Sequence, residues 1–148
     1  MKIVTLRPDQ FTKFASTHKY RNYYQSVAYG NTMIKFGYNV HYLGIVNENN
    51  KLIGASLILY KEVFMSNKIA YAPRGILCDY DDKKILKEII EKMKKVLGKQ
   101  GFMMLRIDPY IPESIRDHKG NIININQQAS TIIKNLKRVG FSYKGKNR

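Results

Sequence analysis

The sequence has few of the residues that form disulfides, bind metals or cross membranes. Cys78 is the only cysteine among 148 residues, so no disulfide can form within the chain, as is usual in a reducing compartment. His18, His41 and His118 are scattered and give no cluster with metal-ligand spacing. No stretch approaches the roughly eighteen apolar residues of a membrane span, and the N-terminal MKIVTLRPDQF lacks the apolar core of a signal peptide. The sequence therefore predicts a soluble, cytoplasmic protein.

Acidic residues are also scarce. Eleven Asp and Glu stand against twenty-six Lys and Arg, which gives a formal net charge of +15. Such an excess attracts an anionic partner, whether nucleic acid, nucleotide, phospholipid or anionic polymer. The same excess is typical of a lysine-rich surface that only faces solvent, so charge alone does not select a function. The length and the 44% hydrophobic content indicate one globular domain.

Hydrophobic periodicity divides the chain into strands and helices. We expect strands at residues 2–6, 38–46, 51–64, 68–71 and 102–107 and helices at 8–16, 23–36, 81–98 and 128–139, with turns at 47–50 and 66–67 and a stub of strand at 141–143. The order β-α-α-β-β-β-α-β-α resembles the layout of a GNAT-type acyltransferase domain. That fold is α/β, with a mixed, mostly antiparallel sheet and helices on both faces.

A GNAT-type domain normally continues into a further hairpin after its last helix. The present sequence stops five residues after Tyr143. We therefore expect residues 1–148 to form a single GNAT-like subdomain whose C-terminal strands are missing. An unpaired sheet edge would then favour self-association or strand swapping.

Two polar clusters follow the strands on either side of the third helix. Pro73-Arg74-Gly75 ends the strand before that helix, since proline cannot continue a central strand. Residues 106–110, Arg-Ile-Asp-Pro-Tyr, end the strand after it. Ligands of open α/β sheets gather at strand ends, so we expect the functional residues at these two places.

Four segments carry a family resemblance. YYQSVAYGNTMIKFGYNV (23–40), YAPRGILCDY (71–80), LRIDPYIP (105–112) and IIKNLKRVGF (132–141) resemble, in order and spacing, the FemABX family. These non-ribosomal peptidyltransferases build the interpeptide bridge of Gram-positive peptidoglycan. They are similar to two GNAT-like subdomains in tandem, and this chain resembles the first.

The resemblance implies an enzyme that transfers an amino acid from aminoacyl-tRNA to the stem-peptide amine of a UDP-linked or lipid-linked peptidoglycan precursor. It implies no metal, no bound cofactor and no DNA partner. By resemblance, Lys35 matches a position that holds the precursor diphosphate, and Asp108 is the candidate to contact the incoming amine or to act as base. Lys35 is equally compatible with an exposed lysine at a helix C-terminus. The residues themselves favour structural pairing or turn capping for Asp108.

The remaining candidates surround the same strand ends. Arg74 could clamp an anion with its guanidinium or pair with Asp79 or Asp108. Tyr71 and Tyr110 could bind substrate, although they could also pack in the core with a hydroxyl at the rim, as could Tyr80. Cys78 has no histidine nearby in the sequence, which argues against a thiol nucleophile. The basic run Lys134, Lys137 and Arg138 could contact tRNA phosphates, although a solvated helix face is the more usual role of such a run.

Two other functions remain open at this point. A small acetyl-CoA-dependent acetyltransferase would need a Gly-rich loop for the CoA pyrophosphate, whereas this junction has one glycine and several acids. A non-enzymatic RNA-binding module fits the charge, but no strand carries the expected aromatic-and-basic signature.

Overall fold

The computed structural model describes residues 1–62, 68–112 and 114–145. Its elements are β1 (Lys2–Thr5), α1 (Pro8–Ala15), a 3₁₀ turn (Tyr23–Gln25), α2 (Val27–Lys35), β2 (Asn39–Val46), β3 (Leu52–Tyr60), β4 (Lys68–Ala72), α3 (Lys83–Lys99), β5 (Phe102–Ile107), β6 (Ser114–Arg116), β7 (Ile122–Ile125) and α4 (Gln127–Arg138). Within these ranges no helix combines the length and hydrophobicity that a transmembrane span needs.

The main sheet has five strands in the order β1-β2-β3-β4-β5. Every pair is antiparallel except β4 and β5, which run parallel because α3 connects them as a crossover. This confirms the predicted mixed, mostly antiparallel sheet. β5 is an edge strand of this sheet in the described part of the chain, and β6 and β7 form a separate two-stranded hairpin.

Both faces of the sheet are covered by helices, as the sequence predicts. Successive residues of β3 point to opposite faces, so this strand is buried on both sides. Leu57 and Leu59 pack in a cluster with Phe11 of α1, and α2 also contacts that cluster. Ile58 packs in the other cluster, with α3 and with Ile132 of α4.

Helix α3 confirms the helix predicted at residues 81–98. Its apolar stripe is buried, and the Asp82 side chain caps its N-terminus by accepting a hydrogen bond from the Ile85 N–H at 3.0 Å. After the helix, Gly101 takes a φ of +88°, a left-handed conformation that glycine adopts without a steric penalty. The expected end at Gly98 or Gly101 agrees with the observed Lys99.

The second helix was predicted too long. Residues 23–25 form a 3₁₀ turn, and α2 begins only at Val27. Ser26 between them is extended (φ −140°, ψ 156°), and its hydroxyl accepts a hydrogen bond from the Tyr29 N–H at 3.2 Å. A serine N-cap therefore starts a new helix where periodicity suggested a continuous one.

Three further differences from the prediction concern strands. β3 ends at Tyr60 rather than at 64, and the turn expected at 66–67 lies outside the described residues. The expected strand at 141–143 is wrong, since residues 141–145 are irregular. The hairpin β6–β7 was not predicted because its strands are short and their isoleucines are exposed. Asp117 closes that hairpin by accepting from the N–H groups of Lys119 and Asn121, both at 2.9 Å.

Two adjacent isoleucines of α4 test the packing of this helix. Ile132 is 1% exposed and Ile133 is 45% exposed. Ile132→Ala is expected to lower the free energy of unfolding by about 2–4 kcal/mol, because it leaves a cavity in the core. Ile133→Ala, which changes helix propensity equally, should stay within about 1 kcal/mol of the parent. Urea denaturation measures both, and equal losses would contradict the described packing of α4.

Candidate functional site

A bulge interrupts the ladder between β3 and the segment that contains β4. Leu59 pairs with Tyr71, and the next pairing in the same direction joins Ala55 to Leu77. The β4 side therefore carries two more residues than β3 between these pairs, and the extra length loops out at Pro73-Arg74-Gly75. We call this segment the Arg74 loop. Bulges of this kind redirect side chains at the edges of functional sites.

The peptide groups on both sides of Arg74 are fixed by hydrogen bonds. Arg74 has a φ of +51°, which few residues other than glycine adopt. Its N–H donates to Asp108 Oδ1 at 2.6 Å, and its carbonyl accepts from Asn22 Nδ2 at 3.0 Å. Such a conformation persists only where the surroundings hold it in place, and it is frequent at functional sites.

Asp108 reaches the Arg74 loop because β4 and β5 are parallel and in register. Tyr71 pairs with Arg106 and Ala72 with Ile107, so Asp108 follows β5 where the loop follows β4. The second carboxylate oxygen, Oδ2, accepts a hydrogen bond from the Tyr71 hydroxyl at 3.0 Å. The Arg106 guanidinium lies 5.4 Å from the centre of the Tyr71 ring. The structure therefore brings Tyr71, Arg74 and Asp108 together.

The electrostatics of this group fix the hydroxyl in its neutral form. Burial first, and then the negative charge of Asp108 and the hydrogen bond to it, raise the pKa of Tyr71 to about 12. Tyr71 is consequently a hydrogen-bond donor at any physiological pH. Together with the Arg74 N–H it orients both oxygens of the Asp108 carboxylate.

Two predicted site residues are not joined to this group. Lys35 is the exposed last residue of α2, and Tyr110 is 55% exposed just beyond β5. In the part of the chain that the structure describes, no hydrogen bond, ion pair or ring contact links either of them to Asp108, Arg74 or Tyr71.

The pairing anticipated for the Arg74 side chain is also different. Among the described residues its guanidinium forms no ion pair with Asp79 or Asp108, and Asp108 is bound through the Arg74 main chain instead. The Asp79 carboxylate accepts from the Asp81 N–H at 2.9 Å. The Arg74 loop is thus held by its backbone, and its guanidinium has no structural partner in the described ranges.

Sequence reasoning missed the residues behind the Arg74 loop. Gln25 is 2% exposed, and its carboxamide contacts the backbone of both Leu57 and Pro73. Asn22, three residues earlier, contacts the Arg74 carbonyl. Both lie in a polar, tyrosine-rich stretch that is typical of a connector. The only sequence signal was that Asn22 and Gln25, both carboxamides, are three residues apart. One tight turn can bring two side chains at that spacing to the same side.

Three tyrosines of the 3₁₀ turn and of α2 form an aromatic cluster. The rings of Tyr23, Tyr24 and Tyr29 pack edge to face, with centroids 5.1–5.9 Å apart. Burial first, followed by nearby ionisable groups that include Asp108, raises the pKa of Tyr29.

The other candidates have structural roles or face solvent. Burial raises the pKa of the Cys78 thiol to about 12, so it is no nucleophile. Tyr80 is fully buried and donates its hydroxyl hydrogen to the Ile76 carbonyl, so it packs in the core rather than at a rim. The basic residues of α4 are exposed, namely Lys134, Lys137 and Arg138. The described residues contain no cluster of three or more side chains that could hold a metal ion.

Comparison with known proteins identifies the family of this chain. The model of the FemAB family matches residues 6–148. The chain belongs to the FemAB family. Aminoacyltransferase FemA from Staphylococcus aureus (strain bovine RF122 / ET3-1) is 28% identical over 145 residues, which are 98% of this chain and 34% of the relative. FemA of strain MW2 gives the same identity and coverage. The chain thus spans about a third of the curated relatives it matches.

Solved structures share the fold. A crystal structure of FemX matches with a TM-score of 0.75 and 20% identity, over 98% of this chain and 33% of that one. A probable acetyltransferase matches with a TM-score of 0.54 and 12% identity, over 100% of this chain and 94% of its own. These likenesses confirm a GNAT-like α/β fold for this FemAB-family chain.

The backbone of Arg74 yields a stability prediction. An L-residue with a side chain is disfavoured at positive φ, whereas glycine is not. Arg74→Gly is therefore expected to be more stable than Arg74→Ala by about 1 kcal/mol. Urea denaturation of the two variants measures the difference. An alanine variant as stable as the glycine variant would show that the positive φ is not kept in solution.

Removing the charge of Asp108 should lower the pKa of Tyr71. In Asp108→Asn we expect a value below about 12 but still above 10, because burial contributes most of the rise. Tyr71 ionises near pH 10 when unfolded, so its contribution to stability is complete below pH 10 and is lost as the pH rises toward 12. Titration of the ¹³C-labelled Tyr71 ring by NMR measures the shift, and an unchanged pKa would contradict the contact.

Proposed function

We propose that residues 1–148 form the first, GNAT-like subdomain of a two-subdomain aminoacyltransferase. The enzyme would transfer an amino acid from aminoacyl-tRNA to the stem-peptide amine of a UDP-linked or lipid-linked peptidoglycan precursor, in the cytoplasm. The observation that carries this proposal is the Tyr71–Asp108–Arg74 group at adjacent strand ends, in a chain of the FemAB family. The name of the matched relative, aminoacyltransferase FemA, supports the same reaction class.

The reaction requires a neutral amine to attack an ester carbonyl, so the amine must be oriented and a base must accept its proton. We assign Asp108 to contact the incoming amine or to act as this base. Its oxygens are directed by the Arg74 N–H and the Tyr71 hydroxyl. A carboxylate oxygen can accept more than one hydrogen bond, so the Asp108 carboxylate is suited to orient an ammonium group. Family resemblance implies that the step needs neither a metal nor a bound cofactor.

Both proposed substrates bring phosphates, and two basic residues are suited to them. Arg74 projects from the loop that Asp108 holds, and a guanidinium binds phosphate oxygens bidentately. Lys35 lies exposed at the end of α2 and is assigned to the precursor diphosphate by family resemblance. Tyr71 is assigned to the substrate pocket, and exposed Tyr110 to its outer side. The net charge of +15 would draw polyanions toward these groups.

An acetyl-CoA-dependent reaction is the competing proposal, because solved acetyltransferases share the fold. The N-terminus of α3 argues against it. Asp82 caps this helix by accepting from the Ile85 N–H, and Asp81 precedes it. Carboxylates at a helix N-terminus compete with a pyrophosphate for the same N–H groups. A non-enzymatic RNA-binding module is the third candidate, since it needs only the positive surface.

Calorimetric titration with the UDP-linked peptidoglycan precursor tests the proposal. Lys35→Ala and Arg74→Gly should each weaken binding about tenfold, or about 1.4 kcal/mol, because each removes a charged donor to phosphate. Arg74→Gly removes the guanidinium without adding backbone strain at positive φ. Lys13→Ala is the matched control, since Lys13 is likewise a basic residue in the last turn of a helix. It should leave the affinity unchanged.

Three outcomes would overturn this assignment. Saturable binding of acetyl-CoA without binding of the precursor would identify a small acetyltransferase. Binding of unrelated RNA with a steep salt dependence, again without precursor binding, would identify an RNA-binding module. Equal weakening by Lys13→Ala and Lys35→Ala would show that only general charge is involved.

A further inference from the structure

The carboxamide of Gln25 occupies the gap that the bulge leaves in the sheet. Its Oε1 accepts from the Leu57 N–H at 2.8 Å, and its Nε2 donates to the Pro73 carbonyl at 2.7 Å and to the Leu57 carbonyl at 3.3 Å. Leu57 lies on β3 between the two residues that still pair with the β4 segment, Leu59 and Ala55. The side chain therefore replaces the hydrogen bonds that a continuous ladder would make there.

Asn22 extends this contact to the next peptide of the loop. Its Nδ2 donates to the Arg74 carbonyl at 3.0 Å, and its Oδ1 accepts from the Gln25 N–H at 3.2 Å. The two side chains thus hold consecutive carbonyls of the Arg74 loop, those of Pro73 and Arg74, from one side. On the other side the Arg74 N–H reaches Asp108.

Gly75 shows how closely the carboxamide and the loop approach each other. A Cβ atom at this position would lie 2.7 Å from Gln25 Nε2 and 2.8 Å from its Cδ. Such distances are too short for a carbon atom, so a side chain at residue 75 would displace Gln25. The glycine is required here by contact with Gln25.

We propose that Asn22 and Gln25, which we call the carboxamide clamp, are positioning residues for the Asp108 site. The clamp fixes two peptide groups of the loop, which keeps Arg74 at positive φ and directs its N–H at the Asp108 carboxylate. Neither residue needs to touch a substrate. A buried amide is suited to this task because an unpaired one is costly, so the loop is held in one arrangement.

The test compares hydrogen exchange at two amides. In Gln25→Met, which keeps the size but removes the hydrogen bonds, the Leu57 N–H loses its acceptor directly. The Arg74 N–H is affected only if the clamp positions it. We expect its protection factor to fall about tenfold relative to that of a core amide such as Ile89. Unchanged protection at Arg74, with lost protection at Leu57, would overturn the proposal.

A matched control is another buried carboxamide outside the loop. Asn135 is 3% exposed and donates to the Tyr80 carbonyl at 3.0 Å. Asn135→Leu should leave the relative protection of the Arg74 N–H unchanged. An equal fall of the Arg74 protection factor in Asn135→Leu would show that Gln25→Met acts by loosening the whole domain. That result would also overturn the proposal.

A conservative substitution separates positioning from packing. In Gln25→Glu a protonated carboxyl can still accept from Leu57 and donate to Pro73, whereas the carboxylate faces two carbonyls without a proton to donate. Protection of the Arg74 N–H should therefore be higher at pH 5 than at pH 8. The parent protein has the same Asp108 and Tyr71 next to the Arg74 peptide, so it serves as the reference at both pH values. A pH-independent ratio to the parent would contradict the role.

Should Gln25→Met not fold, Asn22→Asp carries the same test. It keeps the acceptor for the Gln25 N–H and removes the donor to the carbonyls of Arg74 and Tyr20. The consequence for precursor binding rests on the proposed function, whereas the exchange measurement does not. Weaker precursor binding in Gln25→Met that the pH 5 form of Gln25→Glu restores is the expected functional result. If exchange responds and no precursor binds, the clamp stands and the proposed function fails.

Discussion

The hydrogen bond from the Arg74 N–H to Asp108, at 2.6 Å, joins the segments that follow two parallel strands, just beyond their last paired residues. Because it uses a main-chain donor, it places the Arg74 guanidinium outside the pair rather than in it. A side-chain ion pair would have consumed the charge that an anionic ligand needs. The bond therefore serves two purposes, since it orients a carboxylate and presents a cation beside it.

The elements around that hydrogen bond are held in place in different ways. α3 lies under the sheet with a fully buried stripe and holds β4 and β5 in register. The Arg74 loop pairs with no strand of the described ranges, and side chains of the 3₁₀ turn and its N-cap hold it instead. The regular, strand-paired part of the domain therefore ends where the candidate site begins. This arrangement is common in α/β proteins, in which loops at strand ends carry function on a stable scaffold.

Much of this fold could be read from the sequence, because strand and helix periods are local properties. The β-strands of the main sheet and α3 were placed to within a few residues, and Asp108 was singled out by its place at the end of a strand and by family resemblance. The clamp could not be found in this way. Gln25 lies 32 residues from Leu57 and 48 from Pro73, and only the folded chain brings them together. The hairpin β6–β7 was missed for a different reason, since its strands have no buried face to give them a period.

The thiol of Cys78 has a consequence for experiments on this chain. It is buried in the core, next to the segment that resumes pairing with β3 after the Arg74 loop, and it is the only cysteine in the sequence. A thiol-specific reagent can reach it only when this part of the core opens. The rate of its labelling therefore reports the opening of the sheet beside the candidate site, in the unmodified protein and without an introduced probe.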